Sequence, residues 1–394
     1  MHEIPVLLLQ PWPFPPPTPN PTLQRLLPRL AEKGYRFHIV APRGSGEAPD
    51  FPVYGVDFQI RAPRWPKYPA HVLYVWELTR LNRLMVRRAL QAAQNHPFRL
   101  VLGLSGAVAP ATERVARALG VPSLVKLFGI TYFLRYRPTP WQWLQNRENL
   151  LAFRSRVNGL LLVEDGTGGA TAARRWRFPG RVWVEPQGFP EEWPRTGRYT
   201  RRSLGLAPDQ QVLLVVGRLA AMKGVRFLPE LLAHLDTRLP WVLVLAGEGP
   251  ERPRLEQAFR RLGLDRRVRF LGPVPHEDLG DLYSLAAVYL GISPVANVTL
   301  PVVEALSLGV PVVAFDCQET GRILKTPAVQ LVPPFDLKAF ARAVEHWLRH
   351  PQERQQAAAE ARRFARRRFL TWPQVAELEH RVFQELLHQA HAHR

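Results

Sequence analysis

Cysteine is all but absent from this chain: one thiol, Cys317, in 394 residues excludes an internal disulfide framework. Long apolar runs are missing too. No stretch approaches the roughly 18 uninterrupted apolar residues that a membrane span needs. The 46% hydrophobic content is nonetheless ordinary for a soluble globular protein. The N-terminal MHEIPVLLLQPWPF lacks the positive flank and the small-residue cleavage site of a signal peptide. These absences point to the cytoplasm, with contact to the inner membrane face peripheral at most. Lysine is scarce, yet 53 basic residues against 33 acidic ones leave a formal net charge of +20, carried almost wholly by arginine. A field of that sign attracts nucleic acid, anionic membrane or phosphorylated substrates. A general richness in arginine, proline and alanine accounts for the larger part of it. The 39 prolines fit short, stiffened loops.

What is present alternates strand with helix. Short apolar runs at 6–9, 37–41, 100–104, 124–127, 159–163 and 182–185 are separated by helical patterns at 23–33, 72–94, 109–119 and 150–156. A proline- and glycine-rich joint, with Pro186, Pro190, Pro194 and Gly197, then precedes a fresh series of strands at 212–216, 241–246, 268–271, 288–292 and 312–315. Helices are expected at 225–234, 252–262, 276–286, 302–308, 337–348, 352–369 and, last, 374–388. Buried strands spaced by helices mean parallel sheets covered on both faces. The chain is therefore α/β, with two doubly wound Rossmann-like domains and a cleft between them as the natural binding site.

Four turns in the second half carry chemistry. Val215-Val216-Gly217-Arg218-Leu219, with Lys223-Gly224 just beyond, ends a strand at a glycine and brings two cations towards a helix start, which suits a diphosphate. Gly247-Glu248-Gly249-Pro250 is a tight strand-to-helix turn that permits close backbone approach. Phe270-Leu271-Gly272 ends another strand, where Phe270 is either core or a platform for a flat ring. In Thr299-Leu300-Pro301-Val302-Val303-Glu304, a carboxylate sits one turn into an otherwise apolar helix, able to accept from two neighbouring hydroxyls or simply to favour its helix dipole.

In this order and at these spacings, G-R-L-x-x-x-K-G, A-G-x-G-P, R-F-L-G, the Glu304 helix and G-V-P-V-V-A resemble glycosyltransferase family 4, of the GT-B fold, over residues 204–370. The resemblance implies an acceptor-binding Rossmann-like domain over 1–193, with a helix in 372–394 crossing back to it, and a nucleotide-sugar-binding domain over 194–371. It implies a retaining, metal-independent hexosyltransferase whose donor is a UDP or GDP sugar, with no further cofactor. Arg218 and Lys223 would clamp the diphosphate and Glu304 would hold the ribose; these three form the catalytic set. Phe270 and Leu271 would flank the base. Gly217, Gly247, Gly249, Thr299 and Leu300 would present backbone to the donor.

The sequence also departs from that pattern. The family usually has an acid eight positions before Glu304, contacting sugar hydroxyls; here stands Ala296, with Asn297 beside it as a substitute hydrogen-bonding group. The first-strand loop is proline-rich, from Pro11 to Pro19, rather than glycine-rich, and after the strand at 124–127 stand Phe128 and Gly129 where a histidine is frequent. Phe128, Gly129 and Asp165 are the candidate acceptor contacts. The acceptor itself is unidentified, lipid-linked or polysaccharide. Aromatic and arginine residues mingle over 132–156, and Arg80, Arg83, Arg87 and Arg88 lie beside Leu78, Leu81 and Leu84, a pattern that fits either an ordinary amphipathic helix with a solvated face or peripheral contact with an anionic membrane. The arginines at 362–368 alternate with Phe364 and Phe369 on one helix, and no nucleic-acid partner is expected. The competing reading is a degenerate GT-B protein that binds a nucleotide sugar or a partner without turnover, motivated by Ala296.

Overall fold

Aliphatic runs too short for helices, each followed by an amphipathic helix, build parallel sheets in which every strand end opens onto a loop. A computed structural model describes residues 3–14, 21–45, 51–58, 60, 70–130 and 147–392. The chain divides into two units: Met1–Glu164 with Gly168–Glu185 and Trp372–Arg394, and Asp165–Thr167 with Pro186–Thr371. Residues 186–193 group with the second unit.

The first unit runs β1 (Ile4–Leu9), α1 (Pro21–Glu32), β2 (Tyr35–Pro42), β3 (Val53–Val56), α2 (Ala70–Ala93), β4 (Leu100–Leu104), α3 (Ala109–Leu119), β5 (Ser123–Leu127), α4 (Arg147–Arg154), β6 (Gly159–Glu164), α5 (Gly169–Arg175) and β7 (Arg181–Pro186). Its sheet has the order β3-β2-β1-β4-β5-β6-β7. Strands β1, β4 and β5 are buried almost end to end, as a sheet covered on both faces demands.

The second unit runs β8 (Gly188–Phe189), β9 (Gln211–Val216), α6 (Leu228–Ala233), β10 (Trp241–Ala246), α7 (Arg252–Arg261), β11 (Val268–Gly272), α8 (Leu279–Leu285), β12 (Ala286–Gly291), α9 (Leu300–Ser307), β13 (Val312–Phe315), α10 (Thr320–Ile323), β14 (Val329–Val332), α11 (Leu337–Arg349), α12 (Pro351–Arg368) and β15 (Leu370–Thr371). The sheet order is β11-β10-β9-β12-β13-β14, all pairs parallel, so the winding reverses between β9 and β12. The last helix, α13 (Trp372–Ala392), returns to the first unit.

Two expected helices are split. Val225–Phe227 and His276–Asp278 form 3₁₀ turns ahead of α6 and α8. Six of these elements lie beyond the sequence pattern: β3 and β14, each four residues long, the two-residue β8 and β15, α10, and α5, which starts at a double glycine. The prolines at 15–19 and the aromatic stretch 132–146 lie outside the described residues.

The first unit contains a sealed ion cluster. Lys126 Nζ on β5 donates to Glu185 Oε1 at 2.7 Å and to Glu379 Oε1, on α13, at 2.5 Å, and all three side chains are buried. Burial alone would lower the Lys126 pKa, but the two carboxylates outweigh it and raise it. Burial, opposed by Lys126 and reinforced by Glu379, lifts the Glu185 carboxyl from 4.5 to about 8. The folded state therefore holds this proton more tightly than the unfolded chain. Its contribution to stability is complete below about 4.5 and is lost as pH rises through about 8. Two outcomes follow. Lys126→Ala, which leaves buried carboxylates without their cation, lowers the unfolding free energy by about 3–5 kcal/mol in urea titrations. Glu185→Gln flattens the decline of stability that the wild type shows across the upper part of that pH window.

Candidate functional site

Where a doubly wound sheet reverses its winding, the loops after the two central strands diverge and leave a crevice at their carboxyl ends. In the second unit these strands are β9 and β12. An open cavity of about 170 Å³ lies there, lined by Gly217, Arg218 and Lys223 after β9, by Gly291, Ile292, Ser293 and Asn297 after β12, and by Thr299 at the start of α9. The cavity is smaller than the roughly 300 Å³ or more typical of sites for drug-sized ligands, so it suits a compact group such as a diphosphate.

Backbone geometry places the two cations. Gly224, at φ +78°, ends a 3₁₀ turn over Ala221–Lys223, and a Cβ there would come within 1.8 Å of the Ile292 carbonyl oxygen. Only glycine lets the Lys223 loop pack against the β12 loop. Gly217 faces open space and leaves room for a ligand. Gly247 and Gly249 behave differently: Cβ atoms there would meet the Gly217 and Leu219 carbonyl oxygens at 2.0 and 2.4 Å. They pack one loop onto the next and do not line the cavity.

Arg218 and Lys223 are exposed, and their side chains form no hydrogen bond or ion pair with any described residue. Crowding by protein lowers the Lys223 pKa, an effect that the charge of Asp165 partly offsets. At the other wall, Thr299 precedes α9 without capping it by its side chain; Pro301 has no N–H and Val302 and Val303 donate to the Thr299 carbonyl oxygen, so in the first turn only the Leu300 N–H is left for an anion.

Asn297, expected to reach a sugar, is spent internally. Its Nδ2 donates to the carbonyl oxygens of Ser293 (3.0 Å) and Phe315 (2.9 Å), and its Oδ1 accepts from Ser293 N at 3.1 Å. It therefore moulds the β12 loop. Glu304, on α9, is 1% exposed and does not line the cavity. Its Oε1 lies 2.7 Å from His276 Nε2, and its Oε2 accepts from the Tyr283 hydroxyl at 2.8 Å. Burial and then the Glu304 charge keep the Tyr283 hydroxyl protonated far above its usual range. Trp193 stacks on His276 with ring centroids 5.6 Å apart. Each carboxylate oxygen retains a further lone pair.

His276 and Tyr283 escaped the sequence reading. Their spacing of seven, two helical turns, puts them on one face, but nothing local says that Glu304 arrives opposite. Phe270 is half-buried against Phe259, with the Arg252 guanidinium 5.4 Å above its ring; neither it nor Leu271 lines the cavity. Phe128 and Gly129 belong to the first unit, where Lys126 Nζ lies 5.3 Å from the Phe128 ring centroid. Asp165 belongs to the second.

Two Rossmann-like parallel sheets, one bearing an open cavity with two free cations at its switch point, define a protein of the GT-B fold. Residues 198–364, within the second unit, match the family described as glycosyl transferases group 1. The chain is 27% identical over 267 residues to an alpha-D-kanosaminyltransferase of Streptomyces kanamyceticus, covering 65% of this chain and 69% of that protein. It is 39% identical over 132 residues to a D-inositol 3-phosphate glycosyltransferase of Corynebacterium urealyticum, covering 31% of each. Among solved structures, a sucrose-phosphate synthase of Thermosynechococcus elongatus superposes with a TM-score of 0.76 at 18% identity, over 98% of this chain and 100% of that one.

Gly224→Ala is expected to cost about 1–3 kcal/mol through the strained φ and the clash with Ile292. Urea unfolding reads that loss, and a weakened response to added pyrophosphate shows that Lys223 has left the cavity wall.

Proposed function

We propose that the chain transfers a hexose, with retention of configuration and without a metal, from a nucleotide-diphosphate sugar of the UDP or GDP type to an acceptor still to be identified. One observation carries this reading: in a chain where many arginines are paired, Arg218 and Lys223 are free and converge on a cavity at the switch point of a group 1 glycosyltransferase domain. Arg218 and Lys223 take the diphosphate and stabilise its charge as the glycosidic bond breaks, the role a metal plays elsewhere. Glu304, already oriented by His276 and Tyr283, offers its remaining lone pairs to the ribose. Catalysis then rests on charge stabilisation and positioning, with no protein nucleophile. Ala296, buried and lacking the family's usual acid, favours the second reading, binding without turnover; a transfer assay with labelled donor separates the two.

Binding is read by thermal stabilisation with UDP, GDP and ADP and their sugars. A ligand at a hundred times its Kd contributes about 2.7 kcal/mol. The expected result is a rise in Tm with one base, abolished by Lys223→Ala. No rise with any nucleotide removes the donor reading.

For the acceptor side, we infer contact with an anionic membrane. No helix among the described residues is long and apolar enough to cross a bilayer. Yet α2 exposes Leu73 and Trp76 on the same face as Arg80, Arg83 and Arg87, and the Arg80 guanidinium lies 5.5 Å from the Trp76 ring centroid. An apolar tip followed by a basic stripe matches the interfacial boundary. The protein should float with anionic vesicles at low salt and be released at high salt, with Trp76→Ala weakening the association. Absence of flotation at low salt removes this contact.

A further inference from the structure

The chain makes an excursion that the fold alone does not require. After β6 it leaves the first unit for three residues, Asp165–Thr167, which belong to the second, and returns at Gly168. The excursion is fitted closely. The Gly166 carbonyl oxygen accepts from Glu319 N at 2.9 Å. At φ +87°, a Cβ on Gly166 would stand 2.9 Å from Val298 Cγ2 and 3.5 Å from Ala296 Cβ. Only a glycine at 166 leaves this gap beside Val298 and Ala296 unfilled.

The excursion carries a carboxylate. Asp165 Oδ1 accepts from Thr167 N at 3.0 Å and from Thr167 Oγ1 at 2.6 Å. The carboxyl also receives its own backbone N–H, and Oδ2 has no hydrogen bond from any other described residue. Lys223, on the cavity wall, acts on Asp165 through space without a hydrogen bond between them. Both oxygens of Glu304 are engaged by His276 and Tyr283, and both amide protons of Asn297 by carbonyls. A half-buried carboxylate held by its own loop repels a phosphate but accepts from hydroxyls.

Building on the nucleotide-sugar reading, we propose that Asp165 grips hydroxyl groups of the transferred sugar, supplying from a separate segment the acid that the Ala296 loop lacks. Asp165 then sets specificity for a sugar with free hydroxyls next to the diphosphate. Thr167 is the positioning residue that aims it.

The test is calorimetric titration of the intact protein, wild type and Asp165→Asn, Asp165→Ala and Thr167→Val, with UDP, GDP and ADP and with their glucose conjugates. The wild type should bind one conjugate more tightly than the bare nucleotide. Asp165→Asn and Asp165→Ala should lower affinity for that conjugate about ten- to a hundredfold and leave the nucleotide bound equally or more tightly, since a negative charge near the diphosphate is gone. Thr167→Val should show an intermediate loss, a differential that misfolding would not produce because both ligands would then suffer alike. A wild type that binds conjugate and nucleotide equally, or an Asp165→Ala variant that keeps the full preference, overturns this assignment while the donor site stands. A wild type that binds no nucleotide overturns the donor reading and this assignment together.

Discussion

A lysine ammonium removed from water must find counter-charge inside the protein, and Lys126 finds it at both ends of the chain's excursion into the second unit. Glu185 is the last residue before the chain leaves the first unit, and Glu379 sits two turns into the helix on which it returns. Desolvating three ionisable groups costs several kcal/mol per ion, and mutual attraction offsets this only when the geometry is good. The raised Glu185 pKa shows how the balance is struck: with one carboxyl protonated, a single positive charge faces a single negative one. The cluster is thus less a source of stability than a demand on register. β5, β7 and α13 are held where all three side chains meet, because any slip strands a charge.

The arginine excess looks different once partners are counted by kind. Arg226 forks onto Glu251, Arg252 bridges Glu248 and Glu256, and Arg267 and Arg201 ladder onto loop carbonyls. Guanidinium suits this task because five donors in a plane can close several loop ends at once. Much of the charge that reads as a polyanion-binding field is therefore structural cladding. Against that background, the lysine at position 223 is chemically distinct: a compact charge on a flexible stem, left free.

The parallel sheets were legible because buried strands leave near-continuous aliphatic runs, as in 212–216 and 241–246, and helices leave a repeating stripe. The cation turn was legible because strand, glycine, arginine and lysine follow one another locally. What lay hidden was tertiary. His276, Tyr283 and Glu304 come from different segments, and no spacing rule joins 276 to 304. Gly247 and Gly249 carry the mark of a ligand loop, yet what approaches them is another stretch of backbone; a sequence records that something comes close, not what. Asn297 reads as a free amide until the Ser293 and Phe315 carbonyls are placed around it. The short strand β14 and the pair β8 and β15 fall below the length at which periodicity has meaning.

That smallest pairing has a wider consequence. Leu370 aligns with Gly188 and Thr371 with Phe189, in parallel. The second unit's long segment therefore begins and ends on adjacent strands, so in architectural terms it is a cassette whose two seams lie side by side. Evolution, or an engineer, can exchange such a cassette between relatives by cutting at two neighbouring points without rerouting the rest of the chain. Asp165–Thr167, which also belong to the second unit, would have to be exchanged as a separate third piece.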